Sequence, residues 1–261
     1  MNKQNILSFF LFTVSFFLFV SCDNEPLDPV LAAQITTPTG GGGTGTGGGG
    51  TGGGGTGGGT SSGDYWPAAL NNQWTMSQNG VTQQPMKMIS VNSIGGLTYY
   101  TFNQTTGTGG GSGASGITRL RKSSGNYYLK VEDLTINAGT FTGVQTGYEM
   151  LLLKDYLTPG NTWTGSYNQT TTYNDPIIPV ISMNTNYTGT ILSVGNTETV
   201  DGEVYPNVIK MTIHQVTSMT GLPNTIADTE YWFAKDVGPI KSTTTSGGST
   251  FSNILIDYIL N

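Results

Sequence analysis

The stretch Asn207-Val208-Ile209-Lys210-Met211-Thr212-Ile213-His214 predicts the fold, because its apolar residues recur at every second position. In a β-strand, successive side chains point to opposite faces of the sheet. One face of this stretch carries Ile209, Met211 and Ile213. The other face carries Val208, Lys210, Thr212 and His214. The stretch therefore predicts a strand with one buried and one wetter face.

Similar short runs recur on both sides of this stretch. The predicted strands are residues 73–78, 86–91, 97–103, 117–122, 127–132, 148–154, 162–170, 187–194, 208–216, 229–235, 239–244 and 251–259. Turn sequences separate them, such as Asn79-Gly80, Gly95-Gly96 and Asp201-Gly202. Many short strands at near-regular spacing predict an all-β domain: a single antiparallel, strongly curved sheet, a half-barrel or a sandwich.

Two details of this prediction depend on local pattern. In the last strand, one face carries Ser252, Ile254, Ile256, Tyr258 and Leu260. Residues 107–116 are rich in glycine and contain no lysine, so we expect a mobile loop between strands and no phosphate site.

The segment before the predicted domain has a different composition. Residues 39–60 consist of 16 Gly and 6 Thr, a tract that can bury no apolar surface. A flexible coil over the 42 steps from Cys22 to Asp64 has an r.m.s. length of about 35 Å. We therefore predict a signal peptide at residues 1–21, a disordered acidic and then Gly/Thr-rich tether at residues 22–63, and a β domain at residues 64–261.

Cys22 is the only cysteine of the chain and follows an apolar run at residues 6–20. A basic start at Lys3, a short apolar segment and small residues at its end are typical of a cleaved export signal. Leu18-Phe19-Val20-Ser21-Cys22 resembles the lipobox of bacterial lipoproteins, in which the cysteine receives a diacylglycerol. The resemblance implies lipid attachment at Cys22.

The residues after Cys22 suggest where the chain resides. Asp23, Glu25 and Asp28 resemble the acidic segment behind the lipidated cysteine of Bacteroidota lipoproteins. We therefore expect an outer-membrane lipoprotein, attached to the membrane by its N-terminal lipid. The sequence leaves open whether it faces the cell surface or the periplasm.

Charge excludes one class of partner. The chain has 16 acidic and 10 basic residues, and only 10% of its residues are charged. Its densest basic stretch is Arg119-Leu120-Arg121-Lys122, whereas nucleic-acid-binding domains show a clustered basic surface. We expect no nucleic-acid partner.

Catalytic and metal-binding patterns are sparse. His214 is the sole histidine, too few for an ordinary zinc site or a recognisable Ser-His-Asp arrangement. Asp201-Gly202-Glu203 reads as a turn. Paired carboxylates can cleave glycosides, but no spacing singles out a pair among Glu132, Asp133, Glu149, Asp155, Glu198, Asp201, Glu203, Asp228 and Glu230. We expect no catalytic residues, no metal and no cofactor.

Aromatic residues allow two interpretations. Trp66, Trp74, Trp163 and Trp232 lie at predicted strand starts beside Pro, Gly or Leu, which favours the core. Exposed, the same rings and the 13 tyrosines offer stacking area for sugars.

Three patches resemble a family of exported bacterial β proteins that includes the TapB-like proteins and, more distantly, the LolA and LolB half-barrels. They are Asp64-Tyr65-Trp66-Pro67-Ala68-Ala69-Leu70-Asn71-Asn72-Gln73-Trp74-Thr75, Leu157-Thr158-Pro159-Gly160-Asn161-Thr162-Trp163 and Glu230-Tyr231-Trp232-Phe233-Ala234-Lys235-Asp236-Val237-Gly238-Pro239-Ile240-Lys241. The resemblance implies a curved antiparallel sheet whose concave side takes a lipid chain or another hydrophobic ligand, and it supplies no catalytic residues.

These observations predict a lipid-anchored, non-enzymatic cell-envelope protein that binds or scaffolds a partner. The favoured ligand is a hydrophobic small molecule held in the curved sheet. The alternative is a surface glycan-binding module that uses exposed Trp and Tyr, and a hydrolase is the least favoured class.

Overall fold

The computed structural model describes residues 60–103, 105–109, 112–138 and 141–261. The predicted signal peptide, Cys22 and the tether up to residue 59 lie outside the described residues. Within these ranges the regular elements are all strands: β1 (Gln73–Gln78), β2 (Val81–Thr82), β3 (Met86–Ile94), β4 (Leu97–Phe102), β5 (Thr105–Gly109), β6 (Ser112–Gly116), β7 (Thr118–Ser123), β8 (Asn126–Val131), β9 (Leu134–Ala138), β10 (Phe141–Gln145), β11 (Tyr148–Lys154), β12 (Thr162–Tyr173), β13 (Ile181–Val200), β14 (Glu203–Met219), β15 (Thr225–Ala234), β16 (Gly238–Ser246) and β17 (Ser249–Ile259).

All strands belong to one large antiparallel sheet that is not closed into a barrel. Following the paired strands, the order is β11-β8-β7-β4-β3-β1-β17-β16-β15-β14-β13-β12-β10-β9-β6-β5, and β2 also pairs with β1. The predicted class, an all-β domain with a single antiparallel, strongly curved sheet, is confirmed.

Strand β11 is held to the body of the sheet by side chains. The Leu151 backbone N–H donates to the Tyr187 hydroxyl at 3.0 Å, and Trp163 Nε1 donates to the Leu151 carbonyl at 2.9 Å. Both rings lie across glycines of their own hairpin, since Trp163 pairs with Gly189 and Tyr187 pairs with Gly165. A Cβ at Gly189 would lie 2.2 Å from the Trp163 ring. The two glycines therefore make room for the two rings that bond to Leu151, a contact between β11 and strands β12 and β13 that we call the seam.

The inner, concave face of the sheet carries the main core. Ile209, Met211 and Ile213 are almost fully buried, as the sequence pattern predicts. Val208, expected on the wetter face, is buried as well. In β17 the buried positions are Asn253 and Leu255, and Ile254 lies on the outer face, paired with Lys241. A register shift opposite Thr75 and Met76 interrupts the alternation, so Tyr258 pairs with the buried Trp74. The predicted single face with Ile254 and Tyr258 is therefore wrong, because a β-bulge changes the face that successive residues occupy.

The predicted strands all correspond to observed ones, and two of them, residues 73–78 and 148–154, have the observed bounds. The prediction of a loop at residues 107–116 is wrong. Two strands, β5 and β6, pair with each other there, and β6 continues the pairing to β9. Antiparallel pairing needs only backbone donors and acceptors, so a Gly, Thr and Ser sequence can form it without an alternating hydrophobic pattern.

Candidate functional site

The chain enters the domain at a junction formed by residues 61–64. Ser61 Oγ donates to Asp155 Oδ2 at 2.6 Å, and the Ser62 backbone N–H donates to Asp155 Oδ1 at 3.3 Å. The Tyr127 hydroxyl lies 3.2 Å from Asp155 Oδ2 and 3.1 Å from the Gly63 carbonyl oxygen. The start of the domain is therefore bonded to one end of the sheet, called here the anchor end.

Charged groups reinforce this junction. Lys122 Nζ lies 2.5 Å from Asp64 Oδ1, and Lys235 Nζ donates to the Ser62 carbonyl at 3.3 Å. Asp155 itself is 1% exposed. Burial raises the pKa of its carboxyl group above the usual value, and the hydrogen bond from Ser61 opposes that increase.

Three of the four tryptophans belong to the core at the anchor end. Trp66, Trp74 and Trp163 are between 0% and 5% exposed, which confirms the core interpretation for these residues. Trp66 and Trp74 meet edge to face at 6.3 Å, and Trp74 Nε1 donates to the Val237 carbonyl at 2.7 Å. These rings present no face to a sugar.

Trp232 lies on the outer face and is covered differently. Lys210 and Lys241 occupy the paired positions on the two neighbouring strands. Their ammonium groups lie 3.8 Å and 4.3 Å from the ring centroid. The Trp232 ring is therefore engaged in cation–π contacts.

His214 lies on the outer face, as expected for the wetter side of β14. Its Nδ1 lies 2.7 Å from Asp228 Oδ1, directly across from it on β15. Both side chains are about half exposed. This pair crosses an open sheet surface, away from the buried inner face.

The carboxylates considered for hydrolysis bond to neighbouring groups on the sheet or at its turns. The contacts are Glu132 with Arg119 and Lys130, Glu149 with Arg121, Glu198 with Lys210, Asp228 with His214, Asp133 with the Gly147 N–H, and Glu230 with Trp232 Nε1. Asp201 and Gly202 form the turn between β13 and β14, both with positive φ, and Glu203 begins β14. These contacts support structural roles.

The inner face changes character with distance from the anchor end. Along β12 it passes from Trp163 and Tyr167 to Gln169 and Thr171. On β13 to β17 polar side chains also lie there, interspersed with apolar ones such as Met183 and Ala227. We call the resulting polar surface the polar wall; its members are Gln145, Gln169, Thr171, Thr185, Gln215, Thr217, Thr229, Ser242, Thr244 and Asn253.

Hydrogen bonds link parts of the polar wall. Thr185 and Thr217 lie 2.8 Å apart through their hydroxyls, and Gln215 Nε2 donates to the Tyr167 hydroxyl at 3.0 Å. Tyr167 stacks on Tyr148 at 4.1 Å, and burial raises the pKa of Tyr167 to about 12. The phenol thus remains neutral at physiological pH.

Four buried polar atoms of the wall have no hydrogen-bond partner: Gln145 Nε2, Gln169 Oε1, Thr171 Oγ1 and Asn253 Oδ1. The first three belong to one neighbourhood, because Gln145 pairs with Thr171 and Gln169 lies two residues along the same strand face. Burying an unpaired polar group costs about 1 to 3 kcal/mol, so each such atom calls for an explanation.

Sequence reasoning missed the polar wall. Its residues are Thr, Gln, Ser and Asn, which are also abundant on the outer face and in the turns. Their positions along the strands could have identified them. Gln169, Gln215 and Thr229 are an even number of residues from buried apolar residues of their own strands, so they lie on the same face.

Two features are absent from the described residues. Among them, no group of three or more His, Cys, Asp or Glu side chains is placed to hold a metal ion. None of them forms a helix with the length and apolarity needed to cross a bilayer.

A scan against protein-family models finds no match, and a search of curated proteins finds none either. Among solved structures, the fold is similar to that of a "putative lipoprotein" from Parabacteroides distasonis, with a TM-score of 0.49 and 9% identity over 76% of this chain and 99% of that chain. It is also similar to a "putative exported protein with YmcC-like fold" from Bacteroides fragilis, with a TM-score of 0.46 and 9% identity over 76% of this chain and 100% of that chain.

Proposed function

We propose that this chain is a lipid-anchored, non-enzymatic binding protein of the cell envelope. In this proposal acyl chains on Cys22 hold it in the outer membrane, and residues 22–63 form the spacer. The observation that carries the proposal is the junction. Because residues 61–64 are bonded to Asp155, Tyr127 and Lys122, the tether is fixed to one defined end of the sheet.

This attachment gives the domain a direction. Strand β12 starts near the junction at Thr162 and reaches Gln169 seven residues later, roughly 23 Å along an extended strand. A spacer of about 35 Å r.m.s. length joins the membrane to the opposite side of the junction. The polar wall thus lies some distance along the sheet from the point where the tether attaches.

The inner face favours a polar ligand over an apolar one. The apolar half is filled by the protein's own rings, including Trp66, Trp74, Phe102 and Phe233. Trp66 contacts Phe102 at 5.7 Å and Phe233 at 5.8 Å between ring centroids. The hydrophobic ligand expected from the sequence therefore competes with these side chains for the same space.

Glycan binding is the second candidate, but by a different surface from the one first expected. Three tryptophans are buried and the fourth is covered by lysines, so exposed tryptophan rings do not support stacking. Most side chains of the polar wall are buried too, so only its half-buried members Gln215, Thr217 and Thr244 could contact a glycan. A hydrolase stays the least supported class, because its carboxylates are held in structural contacts.

Metabolic labelling in the native host tests the anchor. Cells that express the wild-type chain or Cys22→Ala are grown with an alkyne-tagged fatty acid, and label on the purified protein is measured. We expect label on the wild type and none on the variant.

A matched control moves the thiol. The double variant Cys22→Ala/Thr36→Cys restores one cysteine within the tether at a position without a lipobox. It should remain unlabelled. Equal label on the wild type and Cys22→Ala, or label recovered by the relocated cysteine, overturns the proposal.

A further inference from the structure

We propose that strand β3 is a self-association surface, to which a second copy of this chain adds its own β3 as an antiparallel strand. The surface consists of residues 89–94, with Leu70 and Leu97 beside them, and we call it the β3 edge. The inference concerns assembly, so it goes beyond the proposed binding role and does not depend on the lipid anchor.

Only the first part of β3 has a strand on both sides. On the β1 side, backbone pairing ends at Met88, which bonds to Asn71 and Asn72. On the other side, β4 pairs with β3 as far as Ile94. Within the part of the chain that the structure describes, residues 89–94 therefore have a paired strand on one side only.

The turn of the β3–β4 hairpin shows which backbone groups point to the open side. Both residues of the Gly95-Gly96 turn have positive φ, as a two-residue type I′ turn requires. Ile94 and Leu97 flank this turn, so they exchange hydrogen bonds with each other. Alternation along an antiparallel strand then directs the N–H and C=O groups of Ser93 and Val91 away from β4.

Exposed apolar side chains surround these backbone groups. Ile89 is 54% exposed and Val91 is 45% exposed. Ile94 and Leu97 at the hairpin tip are exposed as well, and so is Leu70 in the segment that leads to β1. Grouped apolar side chains on a surface are typical of a site where another molecule binds. Along an unpaired strand, the molecule that fits is another strand.

The usual protection of an edge strand is weak here. Natural edge strands carry lysines, prolines or bulges that prevent a further strand from pairing. The register shift between Met88 and Ser90 is such a bulge, but it lies at the start of the β3 edge and leaves the run from Ser90 to Ile94 regular. No residue of β3 after Lys87 is charged, and the strand contains no proline.

Charge is compatible with a second copy as the occupant. The chain has a formal net charge of -6, which opposes most encounters between two copies. Between Lys87 and Arg119 the sequence contains no charged residue, so two β3 edges meet without opposing like charges. Arg119 reaches Asn92, but its guanidinium is paired with Glu132. Antiparallel pairing of identical strands is also self-complementary, as a twofold interface requires.

Strand β5, at the end of the sheet, differs from β3. It pairs with β6, and its sequence is Thr105-Thr106-Gly107-Thr108-Gly109. This sequence has no large apolar side chain to bury, and backbone hydrogen bonds alone contribute little net free energy. We therefore assign self-association to β3.

The short regular run limits the register of the two copies. For antiparallel pairing of Ser90 to Ile94 with the same run of the other copy, the twofold axis lies at Val91 or at Asn92. In both registers Val91 lies opposite or diagonal to the Val91 of the other copy, within reach of a cross-strand contact. Val91 is therefore the position at which to test the interface.

The first test is a crosslink in the full chain, purified in detergent. Val91→Cys is treated with a short bismaleimide, and the covalent dimer is measured on a denaturing gel. We expect a dimer for this variant. Val144→Cys is the matched control, because Val144 is 47% exposed on β10, and it should stay monomeric. The wild type, treated in the same way, shows any crosslink made through Cys22.

Charge substitutions give a second test that misfolding cannot imitate. Val91→Lys or Val91→Glu alone should weaken dimerisation at least about tenfold, because like charges meet near the axis and a buried valine is lost. The measurement is sedimentation equilibrium. An equimolar mixture of the two variants should recover a heterodimer. Val144→Lys and Val144→Glu, on the control strand, should each dimerise as the wild type does.

Three results overturn the inference: a monomeric wild type, equal crosslinking of Val91→Cys and Val144→Cys, or a mixture of the Val91 variants that stays monomeric. Crosslinking of Val91→Cys to a different protein, without a dimer, would assign the β3 edge to a partner's strand and also overturns self-pairing. None of these results affects fatty-acid labelling at Cys22, so the anchor and the dimer fail independently.

Discussion

The two halves of the inner face lie on the same strands but bury different kinds of side chains. Near the anchor end, Trp66, Trp74 and Phe233 fill the curved sheet with aromatic contacts. At the far end, Thr, Gln, Ser and Asn occupy equivalent inner positions, and four of their polar atoms have no partner. In the first half one buried polar atom, Trp66 Nε1, has no partner, so unpaired atoms occur in both halves but are more numerous in the second.

This difference affects how much each half contributes to stability. Burial of apolar surface stabilises the fold by about 25 cal/mol per Å², and the aromatic half supplies most of it. Unpaired buried amides and hydroxyls lower stability. The seam at Leu151 and the junction at Asp155 belong to the first half, because there the polar groups have partners.

The largest expected effect comes from the aromatic half. Trp74 is fully buried, contacts Trp66 and Phe102, and donates to the Val237 carbonyl. Trp74→Ala should lower the free energy of unfolding by about 3 to 5 kcal/mol, measured by urea titration. Trp232→Ala on the outer face is the control and should cost about 1 kcal/mol through lost cation–π contacts. Equal costs would remove the distinction between core and surface rings.

The junction should give the next largest effect. Asp155→Ala leaves the Tyr127 hydroxyl, the Ser61 hydroxyl and the Ser62 N–H without their acceptor, which should cost about 2 to 3 kcal/mol at neutral pH. Asp155→Asn keeps one acceptor oxygen and should cost much less. The measurement is thermal or urea unfolding of the full chain. If the hydrogen bonds to Asp155 contribute nothing to stability, Asp155→Ala and Asp155→Asn will have equal free energies of unfolding.

The same position should show a pH dependence of definite sign. Because burial raises the pKa of Asp155, the folded protein holds this proton more tightly than the unfolded chain. The stabilisation from protonated Asp155 is complete below the unfolded pKa and is lost as pH rises through the folded pKa. The stability of wild type relative to Asp155→Asn should therefore fall as pH increases over this acidic interval. A difference that rises with pH there would contradict the burial argument.

The seam should have a smaller effect. Tyr187→Phe removes the acceptor of the Leu151 N–H and should lower stability by about 1 to 2 kcal/mol. Tyr258→Phe, on a side chain that is 39% exposed, is the matched control and should be close to neutral. Hydrogen exchange at Leu151 reports the local change: we expect faster exchange in Tyr187→Phe. Unchanged exchange would show that β11 is held without this bond.

The sequence predicts the first half much better than the second. Alternation at Ile209, Met211 and Ile213 and aromatic residues at strand starts identify the strands and the core, because hydrophobic burial leaves a periodic pattern. The β5–β6 hairpin leaves no such pattern, since its pairing depends on backbone groups. The polar wall could not be predicted for a further reason. Threonine and glutamine occur on both faces of the sheet, so residue type does not indicate burial, and only the strand register shows which face Gln169 or Thr171 occupies.

The smallest effect is also the one that bears most directly on the second half. Thr171→Val replaces an unpaired buried hydroxyl with a methyl group of nearly the same shape. In the absence of ligand it should leave stability unchanged or raise it by about 1 kcal/mol, because a desolvated group without a partner is removed. Thr185→Val is the matched control: its hydroxyl bonds to Thr217, so the same change should lower stability by about 1 kcal/mol. If Thr171→Val is as destabilising as Thr185→Val, the hydroxyl is satisfied within the free protein, and the far half resembles the near half after all.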